Sequence, residues 1–263
     1  MSGKPNRTRP RKGQPRRGGG SAALDKPAAA LRRAERLRGE GDAAGALAAL
    51  APVLDNTPAA YEALRLYGEA AREAGERPRF HERVEAALAQ APADGRLLYM
   101  GGVTAWEHND LPLARQRLEQ ARERLPEEWA VLNELALVLV YQGDVEAGRA
   151  ILDEAIEQGA ESASLLYNYA IMLVDGARFD DALGYLERAR ELDPGHTRAH
   201  AALVRVLERV GRLDDAEAEL AHAEARHGKQ QVLDLARARL ELRRGRVEDA
   251  RNSIAQVSWE TLA

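Results

Sequence analysis

The sequence predicts an all-α protein, a solenoid of about fourteen antiparallel helices preceded by a disordered basic arm. Three observations carry that prediction. Gly41, Gly75, Asn109, Gly143, Ala177, Gly211 and Gly245 lie 34 residues apart, each from the next. A self-similar period of this order marks a stack of like supersecondary units. Alanine, leucine, glutamate and arginine dominate the 263 residues, and aromatics make up only 5%; such a mixture sits at the favourable end of helix propensity. Finally, prolines recur in the same phase, at Pro58, Pro92, Pro126 and Pro194, with Ala160 and Gly228 standing in. Proline cannot continue a helix without losing a backbone hydrogen bond, and glycine supplies a left-handed cap.

The elements follow in order. Residues 1–24 are rich in Arg, Pro and Gly and show no apolar periodicity. Such a segment cannot bury enough surface to offset the entropy of ordering, so disorder is expected. Residues 1–20 hold seven basic side chains and no acid, which leaves the rest of the chain at −11 against a whole-chain charge of −4. The folded part is expected to begin near Pro27, since proline favours the first helical turn. The units are then 27–60, 61–94, 95–128, 129–162, 163–196, 197–230 and 231–263. In each, a first amphipathic segment runs to the glycine or its substitute. A short turn follows, commonly Gly-Asp or Gly-Arg, as at Gly41-Asp42, Gly143-Asp144 and Gly211-Arg212. A second amphipathic segment then runs to the proline position. Ser258 to Ala263 close the chain. Either the seventh unit is its own cap, or its outer face with Trp259 pairs with something else.

This pattern resembles the tetratricopeptide repeat (TPR) over residues 27 to about 258. That family places small residues at the eighth, twentieth and twenty-seventh positions of a 34-residue unit and proline at the thirty-second. The eighth positions here are Ala34, Gly68, Gly102, Ala136, Ala170, Val204 and Ala238. The twentieth are Ala46, Phe80, Ala114, Gly148, Ala182, Ala216 and Ala250, and the twenty-seventh Val53, Ala87, Ala121, Ala155, Ala189, Ala223 and Val257. Phe80, Val204, Val53 and Val257 depart from the rule. Small side chains let helices approach closely, and Leu50, Leu118, Leu152, Leu186, Leu220 and Ile254 at the twenty-fourth position are expected to fill the space between. The strict period of 34, with proline at the unit ends, argues against the 35-residue pentatricopeptide repeat. The resemblance implies a right-handed superhelix whose first helices line a concave face, the family's usual peptide site. It also implies a non-catalytic adaptor or scaffold.

If the first helices line a groove, their second, fifth, sixth, ninth, twelfth and thirteenth positions point inward. The middle units place Tyr99, Met100, Val103 and Trp106 there, then Asn133, Leu137, Val140 and Tyr141, then Tyr167, Asn168, Ile171 and Val174. An apolar and aromatic stripe on a solvent face suits partner recognition. A slip of one position would instead put some of these side chains in the core between units. Asn133 and Asn168 can offer a peptide backbone both donor and acceptor. Trp106 and Tyr141, near the ends of their helices, are expected to be exposed. Arg198, Arg205, Arg209, Arg239 and Arg243 suit carboxylates, although an arginine-rich solvated face reads the same way. The family's carboxylate clamp does not match. Leu31, Glu35, Tyr99 and Val103 occupy its positions, and Asn168 with Arg198 and Ala202 recovers only a fragment.

Other chemistry finds little support. The chain has no cysteine, which excludes disulfides, thiolate catalysis and Cys-ligated zinc. No phosphate loop, nucleophile elbow or paired-acid motif occurs. His196 and His200 are four apart, as zinc ligands on a helix are, but they straddle a unit boundary. Neither a metal nor a cofactor is expected. Asp180-Asp181 and Asp214-Asp215 begin second helices, where negative charge complements the helix dipole. No run approaches the roughly 20 apolar residues of a membrane span, and Gly18 to Gly20 interrupt the basic amino terminus where an exported chain has an apolar segment. A cytoplasmic protein without membrane contact is expected. The arm, through Arg7, Arg9, Arg11, Lys12, Arg16 and Arg17, is a candidate phosphate-binding element. It lacks aromatic platforms for bases, so nucleic-acid tether, solubilising tail and self-docking segment stay open. A partner protein in the groove is the leading expectation, and a nucleic-acid-associated factor held through the arm is the alternative.

Overall fold

A computed structural model describes residues 21–228, 230–255 and 257. Among them the chain is all-α, with fourteen helices. It divides into two compact parts, Met1–Pro92 and Ala93–Ala263. The first holds α1 (Ser21–Gly39), α2 (Ala43–Asn56), α3 (Tyr61–Glu73) and α4 (Arg77–Gln90). The second holds α5 (Gly95–Glu107), α6 (Leu111–Arg124), α7 (Trp129–Tyr141), α8 (Val145–Glu157) and α9 (Ala163–Asp175). It continues with α10 (Phe179–Leu192), α11 (Thr197–Arg209), α12 (Leu213–His227), α13 (Gln231–Arg243) and α14 (Val247–Ala255). No described helix is long and apolar enough to cross a membrane.

All seven turn positions named from the sequence adopt the left-handed backbone. Five are glycine, and the other two are Asn109 at φ 60° and Ala177 at φ 58°. Asparagine visits this region readily, whereas alanine is strained there. Every turn closes with the same long hydrogen bond, from the N–H after the left-handed residue to a carbonyl five residues back. Asp42 reaches Leu37 at 2.8 Å, Asp144 reaches Leu139 at 2.9 Å and Arg212 reaches Leu207 at 2.8 Å. This bond satisfies a helix-end carbonyl and reverses the chain within three residues. Where the unit-ending proline is missing, Gly159 at φ 86° and Gly228 at φ 67° end α8 and α12 instead.

The starts of the second helices change along the chain. Asp42 and Asp110 cap α2 and α6 by accepting backbone N–H groups from Gly45 at 2.8 Å and Leu113 at 3.1 Å. At the same position in later units stand Arg178 and Arg212, each paired with an aspartate three residues on, Asp181 at 2.7 Å and Asp215 at 2.6 Å.

α1 starts at Ser21, ahead of the start expected at Pro27, and Pro27 lies inside the helix. Ser21 to Leu24 are compatible with helix, and a proline this close to the amino end removes little of the hydrogen-bond ladder. Pro52 likewise lies inside α2, where the Asn56 side chain bonds the Pro52 carbonyl at 2.6 Å.

Packing follows the repeat. Within the second part each odd helix packs against its following even helix and against the next odd helix, while consecutive even helices do not pack together closely. The odd helices therefore crowd on the inner, concave side of that part. Leu50, Leu118, Leu152, Leu186 and Leu220 are buried at the twenty-fourth position, as expected. Ile254 departs, being 38% exposed, because no further described helix covers the outer side of α14. The small residues act as close-approach points. A Cβ on Gly148 would lie 2.7 Å from the Ala136 carbonyl oxygen, and one on Gly102 would lie 2.6 Å from the Leu118 side chain.

Candidate functional site: the concave face of the second part

The inward positions of α9, α11 and α13 form a concavity of about 430 Å³. Tyr167, Ile171, Arg198, Ala201, Ala202, Arg205, Val232, Leu235, Ala236 and Arg239 line it. Every one of them occupies the second, fifth, sixth or ninth position of its unit, because a helix repeats its face at three- and four-residue steps. A second concavity of about 460 Å³ adjoins it and is lined by Arg205, Glu208, Arg209, Arg239 and Arg243.

Among the residues picked from sequence, Tyr141 is 67% exposed at the end of α7. Its ring meets that of Trp106, at the end of α5, with centroids 5.5 Å apart and planes tilted by 56°. Trp106 is half-buried, since its other side packs on the core. Tyr99, Val103, Leu137 and Ile171 are half-buried. Tyr167 is half-buried too, and its ring lies 5.0 Å from that of His196. Met100 is buried at 7% exposure, so it serves as core and not as an open contact.

Asn133 and Asn168, expected to offer donor and acceptor to a peptide backbone, already bond each other. Asn133 is buried, and its Oδ1 accepts a 2.8 Å hydrogen bond from Nδ2 of Asn168. Its own Nδ2 donates to Glu134 at 3.3 Å. The fifth position of one unit faces the sixth of the next, so one amide donates to the other across the unit boundary. Arg205 is half-buried with its Nε buried and unpartnered, while Arg209 is exposed and lies 5.9 Å over the Phe179 ring. The arm residues Arg7, Arg9, Arg11, Lys12, Arg16 and Arg17, and Trp259, lie outside the described residues.

Sequence reasoning missed Glu208. It is buried in the arginine cluster, accepting from Arg239 at 2.7 Å and Arg243 at 3.1 Å. Its signal was available, an acid at an inward twelfth position among arginines. Reasoning from sequence also missed what His200 does. The ring is fully buried, with Nδ1 2.6 Å from a Glu219 oxygen and Nε2 3.2 Å from the Pro194 carbonyl. Arg190 donates to the other Glu219 oxygen at 2.7 Å. The hydrogen bond to Glu219 raises the His200 pKa against the lowering effect of burial. Burial alone would push the Glu219 carboxyl up; the bonds from His200 and Arg190 outweigh it and hold the carboxyl below its ordinary value. His196 caps α11, its Nδ1 accepting from the Ala199 N–H at 3.1 Å. Among the described residues no group of three His, Cys, Asp or Glu is placed to hold a metal ion.

Solved structures share this architecture. A tetratricopeptide repeat protein from Parabacteroides merdae matches with a TM-score of 0.65 at 14% identity, over 90% of this chain and 96% of that one. PilF of Pseudomonas aeruginosa matches with a TM-score of 0.63 at 17% identity, over 81% and 97%. YrrB, described as a TPR protein with an unusual peptide-binding site, matches with a TM-score of 0.51 at 20% identity, over 65% and 89%. At these identities the likeness is one of fold. No curated protein matches the sequence. Family models for the tetratricopeptide repeat match residues 99–163, 133–197 and 173–240. Together they span more than half of a chain whose turns, small-residue contacts and helix pairs all keep one 34-residue phase, and the chain belongs to the tetratricopeptide repeat family.

Proposed function

We propose that the concave face of the second part grips a segment of a protein partner and carries out no reaction on it. The observation that carries this reading is the Trp106–Tyr141 pair. A tyrosine that is two-thirds exposed, supported on one side by a half-buried tryptophan, offers a large rigid contact at little entropic cost. Beside it the half-buried stripe through Tyr99, Val103, Leu137, Tyr167 and Ile171 continues the apolar surface. Proteins of this fold are generally protein–protein interaction scaffolds, and YrrB, which shares it, has a peptide-binding site. In this reading Asn133 and Asn168 shape the floor as a bonded pair, and Arg205 and Arg209 bias the charge of the segment that binds.

The test is affinity purification of the native protein from its own cells, with and without nuclease, beside a Trp106→Ala/Tyr141→Ala double variant. A protein that survives nuclease and is lost with the double variant supports the concave face as its binding site. Material that disappears with nuclease and ignores the double variant would move the function to the basic arm.

A further inference from the structure

The arginine cluster holds more positive charge than its own acid can answer. Arg205 and Arg209 are the ninth and thirteenth residues of one unit, and Arg239 and Arg243 hold the same positions in the next. Helix periodicity brings each pair onto one face, and stacking brings the two faces together. Glu208 is the sole acid lining their concavity, and both of its oxygens are taken by Arg239 and Arg243. Arg205 and Arg209 are left without a carboxylate among the described residues. The buried Nε of Arg205 has no partner, and a buried donor left unpaired costs free energy that a ligand acceptor recovers.

From this we infer, resting on the concave-face reading above, that the α11–α13 concavity is an anion subsite for an acidic segment of the partner. One carboxylate sits between Arg205 and Arg209, where Glu208 supplies the equivalent group to the other pair. The adjoining concavity shares Arg205 and Arg239 and adds apolar walls from Tyr167, Ile171 and Val232. The segment therefore carries an apolar side chain next to its acid. Those walls favour protein over nucleic acid: phosphates gain nothing from them, and the Tyr167 ring, half-buried against His196, gives bases no open platform.

The experiment is fluorescence anisotropy of the full chain with a short labelled peptide of interspersed glutamate and leucine. Its glutamine–leucine counterpart serves as control, and an oligouridylate serves as competitor. The expected result is binding of the glutamate peptide alone, weakened roughly tenfold by R205Q/R209Q and unchanged by R79Q, a substitution in the first part. Thermal melts check that R205Q/R209Q remains folded. Equal binding of the glutamine peptide, indifference to R205Q/R209Q, or displacement by oligouridylate at equal concentration would each overturn the inference. Loss of a captured partner with Trp106→Ala/Tyr141→Ala but not with R205Q/R209Q would remove the anion subsite and leave the concave-face reading standing. Weakened peptide binding in R205Q/R209Q, with capture indifferent to the aromatic variant, would do the reverse.

Discussion

The Phe80 ring occupies the space that a side chain on Gly68 would need: a Cβ there would lie 2.6 Å from the ring. These are the eighth and twentieth positions of one unit, and both are ordinarily small. Here the large residue at one is matched by none at the other. Phe80 is 3% exposed, so it serves as core.

Gly68→Ala is expected to destabilise the protein by about 1–3 kcal/mol through overpacking. Phe80→Ala should cost about 3–5 kcal/mol through the cavity it leaves. The double variant should cost less than the sum, because the alanine at 68 no longer meets a ring. Urea denaturation of the four proteins measures the coupling, and strict additivity would show that the two sites do not share this space.

Ala177 offers a gain. It holds φ 58° where five of the other turns have glycine. Ala177→Gly should stabilise the protein by about 1 kcal/mol, since relief of the left-handed strain outweighs the added freedom of the unfolded chain. Gly211→Ala, at φ 81° with nothing within 4 Å of its Cβ position, should cost about the same through the backbone alone. Paired denaturation curves check both signs.

The buried His200–Glu219 pair should make stability depend on pH. His200 is raised above its ordinary 6.5, so its contribution is fully present below that value and is lost as pH rises through the folded pKa. Glu219 is held below 4.5, so its contribution is present above that value and is lost as pH falls through the folded pKa. Between these limits the pair contributes most. Arg190, His222 and His227 also face the ring and shape the approach to each limit. Melting temperature should fall more steeply above neutral pH in the native protein than in His200→Gln. Glu219→Ala should cost about 1–3 kcal/mol near neutrality, because it removes the acceptor shared by the buried His200 ring and Arg190. Parallel pH profiles for the native protein and His200→Gln would reject the assignment.

Most of the architecture was legible in the residues, because a repeat prints its geometry many times over. Seven turns in one phase, each needing a left-handed residue and each closing with the same hydrogen bond, fix where helices end regardless of any single substitution. The inward register was legible for the same reason: the ten residues lining the α9–α13 concavity all fall at positions counted from the sequence. What escaped were pairings between helices. Nothing local to Asn133 or Asn168 reveals that the two amides face each other; the bond spans 35 residues and depends on how one unit is rotated against the next. Glu208 escaped because an acid among arginines reads from sequence as surface charge, and only stacking buries it. His200 escaped because its partner Glu219 lies on another helix.

The change in how second helices begin has a thermal and ionic consequence. A backbone N–H held at short range by Asp42 or Asp110 depends less on dissolved salt than the exposed pairs Arg178–Asp181 and Arg212–Asp215, which are screened within a Debye length. Rising ionic strength should therefore loosen the first turns of α10 and α12 more than those of α2 and α6. Hydrogen exchange would read this as salt-sensitive amide protection at the starts of α10 and α12 that the starts of α2 and α6 share far less, a difference in firmness written by a single position.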